Sequence, residues 1–161
     1  MKLKLAIETI PEGSWGKSLA NLLPRPVWDT LRREIYTRAR YRCSICEEVN
    51  EQLHCHEVWK YDDRGRVQTL VGFRCLCSSC HMVKHWGRTV AETLAGNLPQ
   101  DTIGRLTKHF CEVNQCTVGG FEAHKVLMGA IWQKRSRHHY KVDFGLFKPE
   151  VVVKEWKNLK K

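Results

Sequence analysis

The sequence predicts an α+β fold, with a small metal-stapled centre flanked by helices on both sides. Three observations lead there. Two Cys-x-x-Cys pairs, Cys43/Cys46 and Cys77/Cys80, bracket thirty residues. The bracketed residues read as two strands joined by a turn. Apolar residues at helical spacing recur before and after that centre.

In chain order, residues 1–24 read as an irregular arm punctuated by Pro11, Gly13, Gly16 and Pro24. Pro26 suits the first turn of a helix running to about Ala39, with Val27, Leu31, Ile35 and Ala39 on one face. Leu53 to Trp59 alternates as a strand, Tyr61 to Arg66 reads as a turn, and Val67 to Leu76 as a second strand. Ser78 or Ser79 starts a short helix expected to stop at Gly87. Two longer helices are expected at about Gln100–Val113 and Phe121–Arg135. The second draws its apolar face from Phe121, Val126, Ala130 and Ile131. Tyr140–Phe147 reads as a pairing strand and Val151–Lys160 as a last turn or helix. The segments are therefore 1–42 (arm and basic helix), 43–90 (stapled core) and 91–161 (basic helical extension).

Composition narrows the function classes. Apolar residues at 42% and charged residues at 27% are ordinary for a globular chain, which argues against wholesale disorder. The longest apolar stretch, Val126–Trp132, falls far short of the ~18 residues of a membrane span, so no membrane role is expected. The run Leu5-Ala6-Ile7 ends at Glu8, without a sustained signal-peptide core, and the expected location is the cytoplasm. Net charge is +10, unevenly spread. Residues 1–42 carry nine Lys/Arg against four Asp/Glu, residues 43–90 six of each, and residues 91–161 twelve against seven. Basic flanks around a neutral centre suit a cation site whose surroundings attract a polyanion, and nucleic acid is the expected partner.

Eight cysteines without an export signal favour metal over disulfides. Two residues between cysteines let both thiolates reach one tetrahedral ion at about 2.3 Å, and the intervening hairpin returns the second pair to the first. Cys43, Cys46, Cys77 and Cys80 are therefore expected to hold structural Zn²⁺. Cys75, Cys111 and Cys116 lack a motif partner and read as small hydrophobes.

Histidines crowd this centre. His54 and His56 are two apart and share a strand face, with Cys55 on the other. His81 and His85 are four apart and share a helix face, where they could grip one ion. The plain alternatives are a histidine partnered by Glu57 or a carbonyl, and His85 as a helix-end cation.

The run CSIC…LHCHEVW…FRCLCSSCHMVKH, over about residues 40–87, resembles the HNH (ββα-metal) nucleases in their zinc-stapled form, including members labelled as phage or bacterial. The resemblance implies a treble-clef/ββα-metal core and a metal-dependent endonuclease acting on nucleic acid, with DNA expected. It implies His56 as the general base. It implies His81 and His85 as ligands of a second divalent ion (Mg²⁺, Mn²⁺, Ni²⁺ or Zn²⁺), with Cys55 or His54 as further ligands. The chain departs from the family at Cys55, where Asp or His is usual, and at Gly72, where the base-orienting Asn usually falls. Gln68 or Asp62 would then take over that orientation.

The flanks supply candidate phosphate contacts: Arg32, Arg33, Arg38 and Arg40 in the first helix, and Lys134, Arg135 and Arg137 in the segment QKRSRHHYK. Two rival readings stand beside the nuclease. One is a non-catalytic zinc module that binds DNA or RNA; the other is an interaction protein with a protein partner.

Overall fold

In a computed structural model of the chain, described for residues 3–49 and 52–159, the architecture is α+β with one three-stranded sheet. A 3-10 turn (Glu12–Ser14) and the short α1 (Leu19–Leu22) precede α2 (Arg25–Arg38). The hairpin β1 (Leu53–Asp62) and β2 (Val67–Cys77) leads into α3 (Ser78–Lys84) and α4 (Trp86–Leu94). Then come α5 (Thr102–Asn114), α6 (Val118–Ser136), β3 (Lys141–Asp143) and α7 (Pro149–Asn158).

The hairpin follows from its turn chemistry. The Asp62 carboxylate accepts from the backbone N–H of Arg64 and Gly65, and Arg66 takes the left-handed conformation that closes the turn. The strands pair from Asp62↔Val67 to Leu53↔Cys77, with a bulge that leaves Val71 between the Val58↔Gly72 and Trp59↔Leu70 pairs. Gly72 therefore belongs to a sheet irregularity. Asp62 is spent on the turn. The strand expected near the C-terminus is short, and Lys141–Asp143 runs parallel to Val67–Thr69.

Two expectations need correction. The helix after the second cysteine pair does not stop at Gly87. It breaks at His85 (φ −97°, ψ 42°), and α4 runs on through Gly87. In α6 only Phe121 is buried, while Ala130 is exposed and Val126 is 74% exposed, so the apolar face assigned to that helix meets the core at Phe121 and not beyond it.

Apolar packing forms two clusters. One surrounds the cysteine knuckle with Leu5, Ile45, Leu76, Val83, Trp86, Leu106, Phe110 and Phe121. The other packs Leu19, Leu23, Val27 and Leu70 with partly buried aromatics of β1, β2, α2 and α7. The stapled centre thus takes four of these eight side chains, Leu5, Leu106, Phe110 and Phe121, from its flanks. Leu5, fully buried, comes from the arm read as irregular.

That arm is held by one buried side chain. Asn114, at the end of α5, accepts from the N–H of Lys4 (2.8 Å) and Leu5 (3.1 Å), and its amide donates to Leu5 O (2.9 Å) and Phe110 O (3.1 Å). Further along, Ile7 N donates to His124 Nε2 and Glu8 N to Lys84 O. Asn114→Ala orphans these backbone groups and is expected to cost about 3 kcal/mol, at ~1–3 kcal/mol for each buried polar group left unpaired. For a chain of this length the melting temperature should fall by about 6–12 °C in a thermal unfolding scan. An unchanged melting point would show that the arm is not anchored there.

Candidate metal centres

Knuckle and hairpin meet through backbone bonds. Glu47 N donates to Cys43 O and Cys43 N to Glu48 O, with Glu47 left-handed at φ 64°, which curls the chain around the first thiol pair. Ser44 N then donates to Cys75 O at 2.8 Å, tying the knuckle to β2 just before Cys77. Cys77 caps α3, its sulfur accepting from Cys80 N, so the second pair sits on the first turn of a helix.

Cys43, Cys46, Cys77 and Cys80 bring four sulfurs within 4.8 Å of one another, a group that could hold a metal ion. Cys46 Sγ and Cys77 Sγ are 3.6 Å apart. Sulfurs at about 2.3 Å around one tetrahedral ion stand ~3.8 Å apart, so the donor set fits zinc. Hydrogen bonds from Cys77 and Cys80 drive the Cys43 thiol far below its ordinary range. The same contacts with Cys43 push Cys77 up to about 12 and Cys80 higher still. Four crowded sulfurs cannot all ionise without a cation among them. His109 on α5 adds a contact from outside, Nε2 to Cys80 Sγ at 3.1 Å. The unpaired Cys75 is buried as a small hydrophobe, while Cys111 and Cys116 are partly exposed.

Beside this knuckle lies a second group. The pleat of β1 turns His54 and His56 towards α3, and His81 and His85 come from α3 and its end. Ligand atoms of His56, His81 and His85 all lie within 4.8 Å of one another. Ring centroids are 4.7 Å apart for His81/His85, 5.0 Å for His56/His85 and 5.5 Å for His56/His81. The break at His85 sets the last of these rings. Burial first, then the neighbouring imidazoles, lowers His81 to about 2 and His85 to about 4, so both stay neutral, the form that ligates metal.

His54 and Cys55 are not in this group. His54 stacks flat on His81 (4.4 Å between centroids, 4° between planes), with its Nε2 3.1 Å from Ser78 Oγ, so it covers a ligand ring. Cys55 lies on the other face of β1 among Arg32, Tyr36 and Cys75. There burial, followed by Glu57 and Cys75, raises its thiol to about 12, and it stays protonated.

The residue sequence reading missed is Glu8. Its Oε1 is 2.9 Å from His56 Nε2 and 3.4 Å from Lys84 Nζ. Burial alone would raise this carboxyl, yet the bond from His56 and the nearby charges of His56, Lys84 and His85 hold it below its ordinary value. Glu8 thus takes the orienting part expected of Gln68 or Asp62. Gln68 is 1% exposed and its Oε1 has no partner among the described residues. No sequence signal pointed to Glu8, which lies 48 residues from His56 in the arm.

Of the seven basic residues singled out, only Arg32 lines the groove of about 1260 Å³ that runs past the histidines. Arg32 is paired with Asp29, Arg33 donates to Asp29 O, and Arg38 pairs with Glu34. Arg40 is exposed in a left-handed turn, and Lys134 and Arg137 are exposed on the far end of α6. Arg135 is internal: it grips Asp63 with two bonds (2.8 and 3.1 Å), donates to Thr9 and lies 4.0 Å over the Tyr61 ring. The groove's other cations are Lys17, Arg25, Arg88 and Lys125. No helix among the described residues is long and apolar enough to cross a membrane.

No family model, curated protein or solved structure shows significant similarity to the chain.

The depressed histidines fix a pH window. His81 and His85 bind a proton in the unfolded chain near the ordinary value of 6.5, but in the folded chain only at about 2 and 4. Their burial therefore costs no stability above pH 6.5, and stability is lost progressively as pH falls towards 4. With zinc held at one ion per chain, the melting temperature should drop more steeply over that interval than in a His81→Gln/His85→Gln variant. Parallel curves for the two proteins would contradict the buried neutral pair.

Proposed function

We propose that the chain is a metal-dependent nuclease of the HNH (ββα-metal) type that hydrolyses phosphodiester bonds in DNA. In this reading β1, β2 and α3 are the ββα unit, and the cysteine knuckle staples it in a treble-clef arrangement around structural Zn²⁺. One observation carries the proposal. A carboxylate-held histidine, His56, meets two neutral histidines, His81 in α3 and His85 at its end, at the wall of a basic groove.

The parts divide as follows. His81 and His85 hold the divalent ion, which when bound supplies charge neutralisation at the scissile phosphate. Neutral imidazoles suit zinc, nickel or similar ions better than magnesium, which prefers carboxylates and water. Glu8 accepts from Nε2 of His56 and so fixes its tautomer, leaving Nδ1 to take a proton from the attacking water. His56 is 3% exposed, so its ring is held inside the site by its surroundings. Lys84, the second partner of Glu8, stops that carboxylate from taking the proton itself. Arg88 and Lys125, paired with Glu92 and Glu122 in the free chain, would exchange those partners for the phosphate backbone.

Purified zinc-loaded protein should cut DNA, offered both as plasmid and as a single-stranded circle, with added Ni²⁺, Mn²⁺ or Zn²⁺ and more weakly with Mg²⁺. His56→Ala should lower the rate by about 10²–10⁴-fold, the usual worth of a general base, with zinc in the knuckle unchanged. Glu8→Gln keeps a hydrogen bond but loses the charge, and about a 10-fold loss is expected. Cleavage indifferent to His56→Ala, or none with any of these metals while DNA is still bound, would replace the enzyme with a non-catalytic zinc module.

A further inference from the structure

The groove beside the histidines is built unlike a channel for a smooth duplex. Its volume of about 1260 Å³ exceeds the ~300–1,000 Å³ of a small-ligand pocket, which points to a segment of a polymer. One wall is a single face of α6, where Lys125, Met128, Gly129 and Trp132 follow at helical spacing. Lys125 pairs with Glu122 (2.8 Å) and lies over the Trp86 and Phe121 rings at 5.7 and 5.3 Å, so its ammonium is fixed at one end of that wall. At the other end Trp132 stacks with Trp15 from the arm, centroids 6.5 Å apart and planes 18° apart.

Trp15 is 62% exposed although it is a large apolar ring held in place by Nε1–H donating to Ile10 O. Trp132 takes one face of this ring, and its exposure leaves the other for stacking. Two buried side-chain oxygens of groove-lining residues have no partner among the described residues: Gln68 Oε1 and Ser14 Oγ, in side chains 1% and 5% exposed. An amide oxygen and a hydroxyl left unmatched in the lining of that groove have the chemistry of a base-edge reader. Gly129 adds a further sign. A Cβ there would meet nothing within 4 Å, so this mid-helix glycine, costly to the helix by itself, keeps the wall open.

We infer that this groove takes an unpaired nucleotide segment of DNA, with one base stacked on Trp15 and its edge met by Gln68 and Ser14. The phosphates pass Lys125 and Arg88 towards His56. The inference rests on the nuclease reading for the identity of the polymer, and it names single-stranded over duplex DNA as the form that enters. A paired base buries its faces in the stack and its Watson–Crick edge in the partner, and so could not use the platform.

Binding without a second metal tests this apart from cleavage. The zinc-loaded full chain is titrated against a fluorescein-labelled 12-nucleotide single strand and against its duplex, over a range of salt. The single strand should bind at least 10-fold tighter. Trp15→Ala should weaken it roughly 5- to 100-fold, the range for losing one base stack, with Trp15→Phe largely retaining affinity. Gly129→Leu should block the single strand with the melting temperature unchanged or raised, which separates blockage from misfolding. Lys125→Ala should weaken all sequences alike and reduce the salt slope by about one. Equal or tighter binding of the duplex, or full affinity in both Trp15→Ala and Gly129→Leu, would overturn the inference and leave plasmid cleavage to decide the nuclease reading. A protein that binds single strands in this pattern but cuts no DNA would keep the inference and remove the nuclease.

Discussion

Everything in this molecule hangs on four sulfurs that crowd one small volume. Cys43 and Cys46 come from a knuckle, Cys77 from the end of β2 and Cys80 from the first turn of α3, and together they fit one tetrahedral ion. A bound structural zinc contributes on the order of 10 kcal/mol of folding free energy in small domains. Its geometric effect matters as much. Because Cys77 ends the strand and caps the helix, fixing its sulfur fixes the angle at which α3 leaves the hairpin. That angle puts His81 and His85 over the face of β1 that carries His56.

The second constraint is the arm. Glu8 reaches His56 only because residues 3–8 are threaded between α3, α5 and α6, held by Asn114, His124 and the carbonyl of Lys84. The cysteine cluster builds the histidine site and the arm orients it. The two are coupled through the shared core, in which Leu5 packs with Leu76, Val83 and Phe110. On the opposite side, Arg135 locks the end of α6 to the hairpin turn through Asp63, with Tyr140 Oη also bonded to Asp63. Loosening either lock would change the groove without touching a site residue.

The legible part of the sequence was the part governed by short-range rules. Cysteine spacing, the alternation of β1, the Asp-Arg-Gly turn and the i,i+4 relation of His81 and His85 are local facts, and each has its counterpart in the fold. What was not legible depends on distant contacts. Glu8 is one acidic residue in a segment without periodicity. The break at His85 arises where α3 ends and α4 begins, whereas Gly87 looked like the natural stop. Val126 matched a helical apolar face, yet that face looks outward because α6 turns Lys125, Met128 and Trp132 to the groove. Arg135 read as a phosphate clamp from its basic neighbours, and only the fold shows it gripping Asp63. Cys55 was assigned by its column in a motif, while strand alternation already set it on the other side.

The central claim is that the knuckle exists to assemble a second, histidine-lined metal centre. Metal stoichiometry tests it most directly. Protein saturated with zinc, desalted and measured by elemental analysis should carry two ions per chain, falling to one in a His81→Ala/His85→Ala variant that still folds. One ion in the unaltered chain, or two in the variant, would contradict the account.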